Sequence, residues 1–115
     1  MRTGRLIVGD TVAIPRVWMA TGLFARMRGL LGREGLPAGE GLLLSPCHSV
    51  HTWFMRFSID VVFLDGEWTV LRVCRGVRPF RMAGGGWRAR RTLEVQSGWL
   101  SPDVIAPGVR VEVVE

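Results

Sequence analysis

The sequence contains no lysine, asparagine or tyrosine, so all 15 of its basic residues are arginine. Because the codons of the three absent residues are AT-rich, a GC-rich genome accounts for part of this arginine content. The lack of lysine and tyrosine also contributes to the sequence pI of about 11.2. The net charge of +5 is therefore not by itself evidence of an anionic partner.

The chain also lacks long apolar runs and paired-cysteine motifs. No run approaches the roughly 18 residues that cross a bilayer, and the basic N-terminus "MRTGRLIVGD" has too short an apolar stretch for a signal peptide. These absences predict a cytoplasmic protein without a transmembrane segment. Cys47 and Cys74 have no metal or redox spacing and are expected to be free thiols, although a pairing between them stays open.

A chain of 115 residues with 48% hydrophobic residues is sufficient for one folded domain, which we place at residues 1–115. "RLIVGDTVAI" predicts a hairpin that turns at Gly9-Asp10, and Pro15 predicts an edge strand or a bulge. "IDVVFLDGEWTVLRVCRGV" predicts a second hairpin with a type I′ turn at Asp65-Gly66. "GLLLSP", "TLEVQ" and "VRVEVVE" predict further short strands.

Helical periodicity is confined to "TGLFARMRGLLGR", where Leu23, Phe24, Met27, Leu30 and Leu31 share one face. Ser101 followed by Pro102 predicts a short C-terminal helical turn. The predicted fold class is mainly β: a single compact antiparallel barrel or sandwich with one amphipathic helix and one short C-terminal helical turn.

The positive charge is concentrated in one part of the sequence. Between Trp68 and Leu93 there is no acid and there are seven arginines, which leaves the rest of the chain with a net charge of −2. The candidate anion-binding residues are Arg75, Arg78, Arg81, Arg88, Arg90 and Arg91. The alternative is that these arginines only solvate a loop.

The segment "CHSVHTWFMRFSIDVVFLD" combines imidazole, guanidinium and carboxylate groups with bulky apolar residues. On a straight strand Arg56 cannot reach Asp60, but a bend ahead of Ile59 would bring them together. The candidate pocket residues are His51, Trp53, Arg56 and Asp60. The alternative is that Asp60 only accepts backbone N–H bonds from a neighbouring turn. A metal site is not predicted, because Cys47 and His51 would lie about 13 Å apart on a strand.

The sequence resembles the bacterial and archaeal family called domain of unknown function 192. The resemblance depends on "RGLLGR" at 28–33, on Gly39-Glu40-Gly41 and on "HTWFMRFSIDVVFLD", and it covers about residues 23–115. The sequence is similar to the branch of this family that has a His-Thr-aromatic-Phe-Met-Arg-Phe segment. The resemblance implies a compact, mainly-β domain and does not imply any particular activity. Ser58 and Val109 depart from the family, which often has proline and an acid there.

Three functions remain open. The first is a non-enzymatic binding or accessory domain that contacts an anionic partner through the arginines and an exposed tryptophan such as Trp87. Nucleic acid is one candidate for this partner, although no nucleic-acid motif is present in the sequence. The second is a small-ligand pocket or an enzyme that uses His51, Arg56 and Asp60. The third is a scaffold or assembly component. The sequence has no GxSxG, P-loop or GxGxxG motif, and no cofactor is predicted.

Overall fold

Nine β-strands make up the regular structure of the residues that the computed structural model describes, which are 2–20, 36–52 and 56–115. The strands are β1 (Arg2–Val8), β2 (Thr11–Ala20), β3 (Glu40–Leu44), β4 (Ser49–His51), β5 (Ile59–Leu64), β6 (Val70–Val77), β7 (Met82–Gly84), β8 (Arg91–Gln96) and β9 (Glu112–Val114). Seven of them form one sheet in the order β6-β5-β8-β3-β2-β1-β9, and β4 pairs with β7 in a separate two-stranded sheet. The prediction of a mainly-β fold is confirmed.

The barrel and the fully antiparallel pairing are not confirmed. The large sheet is open, with β6 and β9 as its two edges, and between these edges the described residues contain one isolated bridge, Thr69 to Arg110. β2 and β3 pair in parallel, whereas the other paired strands run antiparallel. A parallel pair needs a crossover connection instead of a tight turn, and a period-2 pattern cannot distinguish the two directions.

Both predicted hairpins are present, but their turns differ. β1 and β2 turn at Gly9-Asp10, where Gly9 has a φ of 61°. The β1–β2 register shifts beside Pro15, as expected for a proline at a bulge. β5 and β6 are not joined by a two-residue type I′ turn. Their loop runs from Asp65 to Thr69, because the Asp65 carboxylate accepts the N–H bonds of Glu67 and Thr69 and holds a longer turn.

The predicted helix at 21–32 lies outside the described residues. At the C-terminal side, residues 101–105 form a single hydrogen-bonded turn and not a helix. The Ser101 carbonyl accepts from the N–H groups of Val104 and Ile105, and the Ser101 hydroxyl accepts from Asp103. Within the part of the chain that the structure describes, no helix is long and apolar enough to cross a membrane.

The large sheet buries apolar side chains on both faces. One cluster contains Leu6, Ile14, Val17, Leu43, Val62, Leu64, Val70, Leu93, Val95, Leu100, Ile105 and Val111. The second, on the opposite face, contains Ala20, Leu36, Leu42, Leu44, Ile59, Val61, Phe63 and Ala89, with Val50 of β4 and Ala83 of β7 packed against it. Every residue of β5 is therefore buried, which explains why its sequence is apolar apart from Asp60.

A bend ahead of Ile59, which the sequence left open as one alternative, is present. β4 ends at His51 in the small sheet, β5 begins at Ile59 in the large sheet, and Arg56 and Phe57 lie in a bend. The segment at 47–65 is therefore not one continuous strand.

Candidate functional site

The predicted anion-binding arginines differ in how strongly the fold itself binds their guanidinium groups. Arg78, Arg81, Arg88 and Arg90 are exposed. We call residues 78–90, which contain these four side chains, the basic segment. Arg75 and Arg91 flank it. Arg75 is also exposed but is bound to Asp60 and to the Leu100 carbonyl, and Arg91 is half-buried.

Thr52 fixes the N-terminal part of the basic segment. Its hydroxyl donates to the Arg78 carbonyl at 2.6 Å and accepts from the Arg81 N–H at 2.9 Å. Its backbone N–H donates to the Arg81 carbonyl, and its carbonyl accepts from the Phe80 N–H. Thr52 is fully buried, so this loop is attached to the core through four hydrogen bonds.

The attached loop exposes apolar side chains between its arginines. Phe80 has a φ of 62°, a left-handed conformation that is uncommon for a bulky residue. Phe80 is 68% exposed and Met82 is 71% exposed. A strained backbone that holds apolar side chains in water is not explained by core packing, and such strain is often found where function requires it.

A second exposed group occupies the C-terminal part of the basic segment. Trp87 is 85% exposed and borders a shallow groove of about 340 Å³, which Asp65, Gly66, Glu67, Arg88 and Arg90 also line. Arg90 donates to the carbonyls of Trp87 and Ala89. Arg88 approaches the Asp65 carboxylate at 3.9 Å. These contacts occupy only a few of the five N–H donors of each guanidinium group.

Asp65 lines this groove, and Arg91 is bonded to the Asp65 carbonyl. The N–H of Thr69 has the largest effect on the pKa of Asp65 and lowers it. Burial, the second-largest effect, acts in the opposite direction, and the Glu67 N–H and the charges of Arg88 and Arg91 add to the lowering. Arg91 lies over the Trp68 ring at 3.9 Å and donates to the Asp65 carbonyl. Burial lowers the pKa of Arg91, and the charge of Asp65 partly offsets the effect. Arg91 is thus a stacked structural cation.

The three predicted pocket residues that the structure describes, His51, Arg56 and Asp60, lie in three different elements. His51 is exposed on β4, where it pairs with Met82 of β7. Arg56 is exposed in the bend, and Trp53 lies outside the described residues. Asp60 is 1% exposed in β5. Its charged partner is Arg75, at 3.6 Å, and not Arg56.

The Asp60 carboxylate is surrounded by donors of the protein itself. It accepts from the Gly76 N–H at 2.7 Å and from the Gly98 N–H at 3.0 Å, with the Ser97 hydroxyl at 3.5 Å. Arg75 also donates to the Leu100 carbonyl at 2.7 Å. Asp60 therefore connects the β5–β6 bulge with the turn after β8, and these contacts explain its burial without a ligand.

A different carboxylate, Glu94 of β8, has no such partners. It is 6% exposed, and among the described residues none donates a hydrogen bond to its carboxylate or forms an ion pair with it. Burial raises the pKa of Glu94 to about 7. Sequence reasoning missed this residue because "TLEVQ" alternates polar and apolar positions, which normally places the polar side chains in water. Only the coverage of both sheet faces buries Glu94.

Metal-binding groups are not clustered in the described ranges, where no three of the histidine, cysteine, aspartate and glutamate side chains could hold an ion together. Cys47 and Cys74 are free and half-buried.

The family assignment rests on a match over nearly the whole chain. The model of the family DUF192, described as "Uncharacterized ACR", matches residues 6–113. The chain belongs to the DUF192 family. The match begins earlier than the resemblance in the sequence indicated, because it includes the β1–β2 hairpin. No curated protein matches the chain.

Two solved structures share the DUF192 fold seen here. One is a protein of unknown function from Novosphingobium aromaticivorans, with a TM-score of 0.79 and 18% identity, covering 95% of this chain and 83% of the other. The second, from Sinorhizobium meliloti, is described as a "putative transcription regulator"; it has a TM-score of 0.77 and 20% identity, with 96% and 92% coverage. At these identities the likeness establishes the fold alone.

Proposed function

We propose that this DUF192 protein is a non-enzymatic binding domain for an anionic partner and that the basic segment is its contact surface. The observation that carries the proposal is the loop attached to Thr52, which holds Arg78, Phe80 and Arg81 outward on a fixed backbone. A surface that is already ordered loses less conformational entropy on binding than a flexible one.

The composition of the basic segment favours single-stranded nucleic acid as the partner. Arginines neutralise phosphates, and exposed aromatic rings stack on unpaired bases. Phe80 and Trp87 are 68% and 85% exposed and lie within the same thirteen-residue stretch as four exposed arginines. The transcription-related name of the Sinorhizobium protein is compatible with this choice and is not needed for it.

The test is a salt titration with a fluorescently labelled oligothymidine of about 15 nucleotides. If four arginines each neutralise one phosphate, a plot of log K against log salt concentration should have a slope of about −2.8. The double variant R78Q/R81Q should reduce that slope to about −1.4. The matched control is R2Q/R5Q, which removes the same charge from β1, near the other edge of the sheet.

The aromatic side chains are tested separately with F80A/W87A. Loss of stacking should weaken oligothymidine binding by about 1–3 kcal/mol per base and leave the salt slope unchanged. Heparin, which is anionic but has no bases, should be insensitive to this variant. Affinity that does not change between about 50 and 200 mM salt would refute an anionic partner. Equal slopes for R78Q/R81Q and R2Q/R5Q would refute the role of the basic segment.

A further inference from the structure

A second groove lies at the edge of the large sheet that β9 forms. It has a volume of about 460 Å³, which is within the range of small-molecule sites. It combines apolar side chains with one side chain of each charge: Ile7, Trp68, Val111, Val113, Arg110 and Glu112. None of the residues of the basic segment lines this groove.

The groove forms because the ladder between β1 and β9 ends early. The two strands are paired as far as Ile7 and Glu112. The same register would place Gly9 opposite Arg110, but Gly9 belongs to the β1–β2 turn and has a φ of 61°. Arg110 instead forms a bridge with Thr69. The two segments of chain therefore separate here, and Gly9 and Arg110 both line the space between them.

The backbone of Arg110 presents a donor and an acceptor to this space. The Val111 N–H donates to the Trp68 carbonyl at 2.9 Å. The Val109 carbonyl accepts from the Val70 N–H at 2.8 Å. In a trans peptide the C=O and the N–H point in opposite directions, so the C=O and the N–H of Arg110, which share these two peptide groups, point away from the β5–β6 hairpin. Among the described residues, neither group has a backbone hydrogen-bond partner.

The side chains of Arg110 and Glu112 lie side by side on one face. Both are exposed, whereas Val111 between them is buried, as expected for alternate positions of an extended chain. In the part of the chain that the structure describes, neither the guanidinium nor the carboxylate forms an ion pair or a hydrogen bond. Alternate residues of a strand are about 6.7 Å apart, so these two side chains can contact a ligand that carries both charges on neighbouring atoms.

Trp68 forms the apolar wall of the groove. Its φ of 66° is a left-handed conformation that is uncommon for a bulky residue and is often found at functional sites. The Arg91 guanidinium lies over the ring at 3.9 Å, and Val111 beside the ring is 5% exposed. These contacts hold the wall in place before a ligand binds, which lowers the entropy cost of binding.

We propose that this groove binds a free amino acid with an apolar side chain. The Arg110 guanidinium would pair with the ligand carboxylate, and the Glu112 carboxylate would accept from the ligand ammonium. The backbone N–H and C=O of Arg110 add one donor and one acceptor for the same two groups, while the apolar side chain contacts Trp68 and Val111. A simple carboxylic acid or a simple amine satisfies only one of the two charges. This site is independent of the proposed function.

The test compares three probes that share a phenyl ring: L-phenylalanine, 3-phenylpropanoate, which lacks the ammonium group, and 2-phenylethylamine, which lacks the carboxylate. Each is titrated into the full ¹⁵N-labelled chain at pH 7 and followed by ¹H–¹⁵N NMR. L-phenylalanine should shift the amide signals of Gly9, Arg110 and Glu112. It should bind at least about tenfold more tightly than either of the other probes, because each of them loses one charge-assisted hydrogen bond.

Two variants separate the two charges. R110Q should remove most of the preference for L-phenylalanine over 2-phenylethylamine, and E112Q should remove most of its preference over 3-phenylpropanoate. Both side chains are exposed, and the same spectra report whether each variant is folded. The matched control is R5Q, which alters an exposed arginine of β1 that is opposite Val114 and does not line the groove. It should keep both preferences.

Three results would contradict the proposal. Absence of shifts at Gly9 and Arg110 with all three probes would overturn the site. Binding of L-phenylalanine no tighter than that of the other two probes would overturn an amino acid as the ligand class. An equal loss of L-phenylalanine affinity in R5Q and R110Q would overturn the role of Arg110.

Discussion

The buried carboxylate of Glu94 should make the stability of this protein depend on pH in a way that one substitution removes. Burial raises the pKa of Glu94 from its usual 4.5 to about 7. Between these values the folded chain keeps a proton that the unfolded chain has released. The free energy of unfolding therefore decreases as the pH rises through this window, and the decrease is complete above about pH 7.

The size of the effect follows from the pKa difference. One pKa unit corresponds to about 1.4 kcal/mol, so the ionised form of Glu94 should destabilise the fold by about 3 kcal/mol relative to the protonated form. Glutamine at this position resembles the protonated acid and does not titrate. E94Q should thus match the unmodified protein at pH 4.5 to within about 1 kcal/mol and exceed it by about 3 kcal/mol at pH 8.

Urea denaturation of both proteins between pH 4.5 and 8.5 measures this difference. The informative quantity is the difference between the free energies of unfolding of the two proteins, because the contributions of the other titrating groups are the same in both and cancel. Asp65, for example, has a lowered pKa and loses its stabilising effect only as the pH falls below its usual range. If the difference between E94Q and the unmodified protein does not change with pH, Glu94 is not a buried carboxylate with a raised pKa, and the reasoning fails.

Two further substitutions test the packing and the polar network around the described site. D60N should lower the free energy of unfolding at pH 7 by about 3–5 kcal/mol, because an amide N–H₂ would face the N–H of Gly76 or Gly98 and Arg75 would lose its counter-charge. Urea denaturation measures this loss, with a variant of an exposed aspartate, D10N, as the control. A loss below about 1 kcal/mol would contradict the hydrogen-bond network around Asp60. G85A should cost about 1–3 kcal/mol, since the new Cβ would lie 2.5 Å from Phe63 Cβ and 2.8 Å from Ala89 Cβ. The control is G66A, whose new Cβ would lie 3.8 Å from Arg90 Cγ. Equal melting temperatures for G85A and G66A would show that Gly85 is not tightly packed.

Local patterns were sufficient to predict most of the strands and both hairpins, but β7 lies in a glycine-rich segment that was interpreted as a loop. Gly9-Asp10 marked a turn because glycine adopts a positive φ without strain. The bend ahead of Ile59 was one of two alternatives that the sequence left open for Arg56 and Asp60. The partner of Asp60 could not be predicted, since Arg75 approaches it across the β5–β6 ladder beside a register shift. Sequence spacing between Arg56 and Asp60 contains no information about that contact.

The division of the arginines likewise required the tertiary structure. The composition identified one acid-free block, but it could not separate Arg75 and Arg91, which are bound to Asp60 and Trp68, from the four exposed side chains of the basic segment. The hydrogen bonds between Thr52 and the loop at 78–81 could not be predicted from the sequence either. Its hydroxyl contacts residues 26 and 29 positions away, and no short-range pattern reports such a contact.

The sequence by itself determined the mainly-β class, the positions of most strands along the chain, the family and the concentration of positive charge between Trp68 and Leu93. These properties depend on alternation, turn residues and composition, which are local along the chain. The tertiary structure alone decided that the sheet is open, that β2 and β3 are parallel, and that the buried Glu94, unlike Asp60, has no hydrogen-bond donor among the described residues. The physical reason is that burial and pairing depend on which strands are adjacent and on what covers each face, and long-range contacts set both.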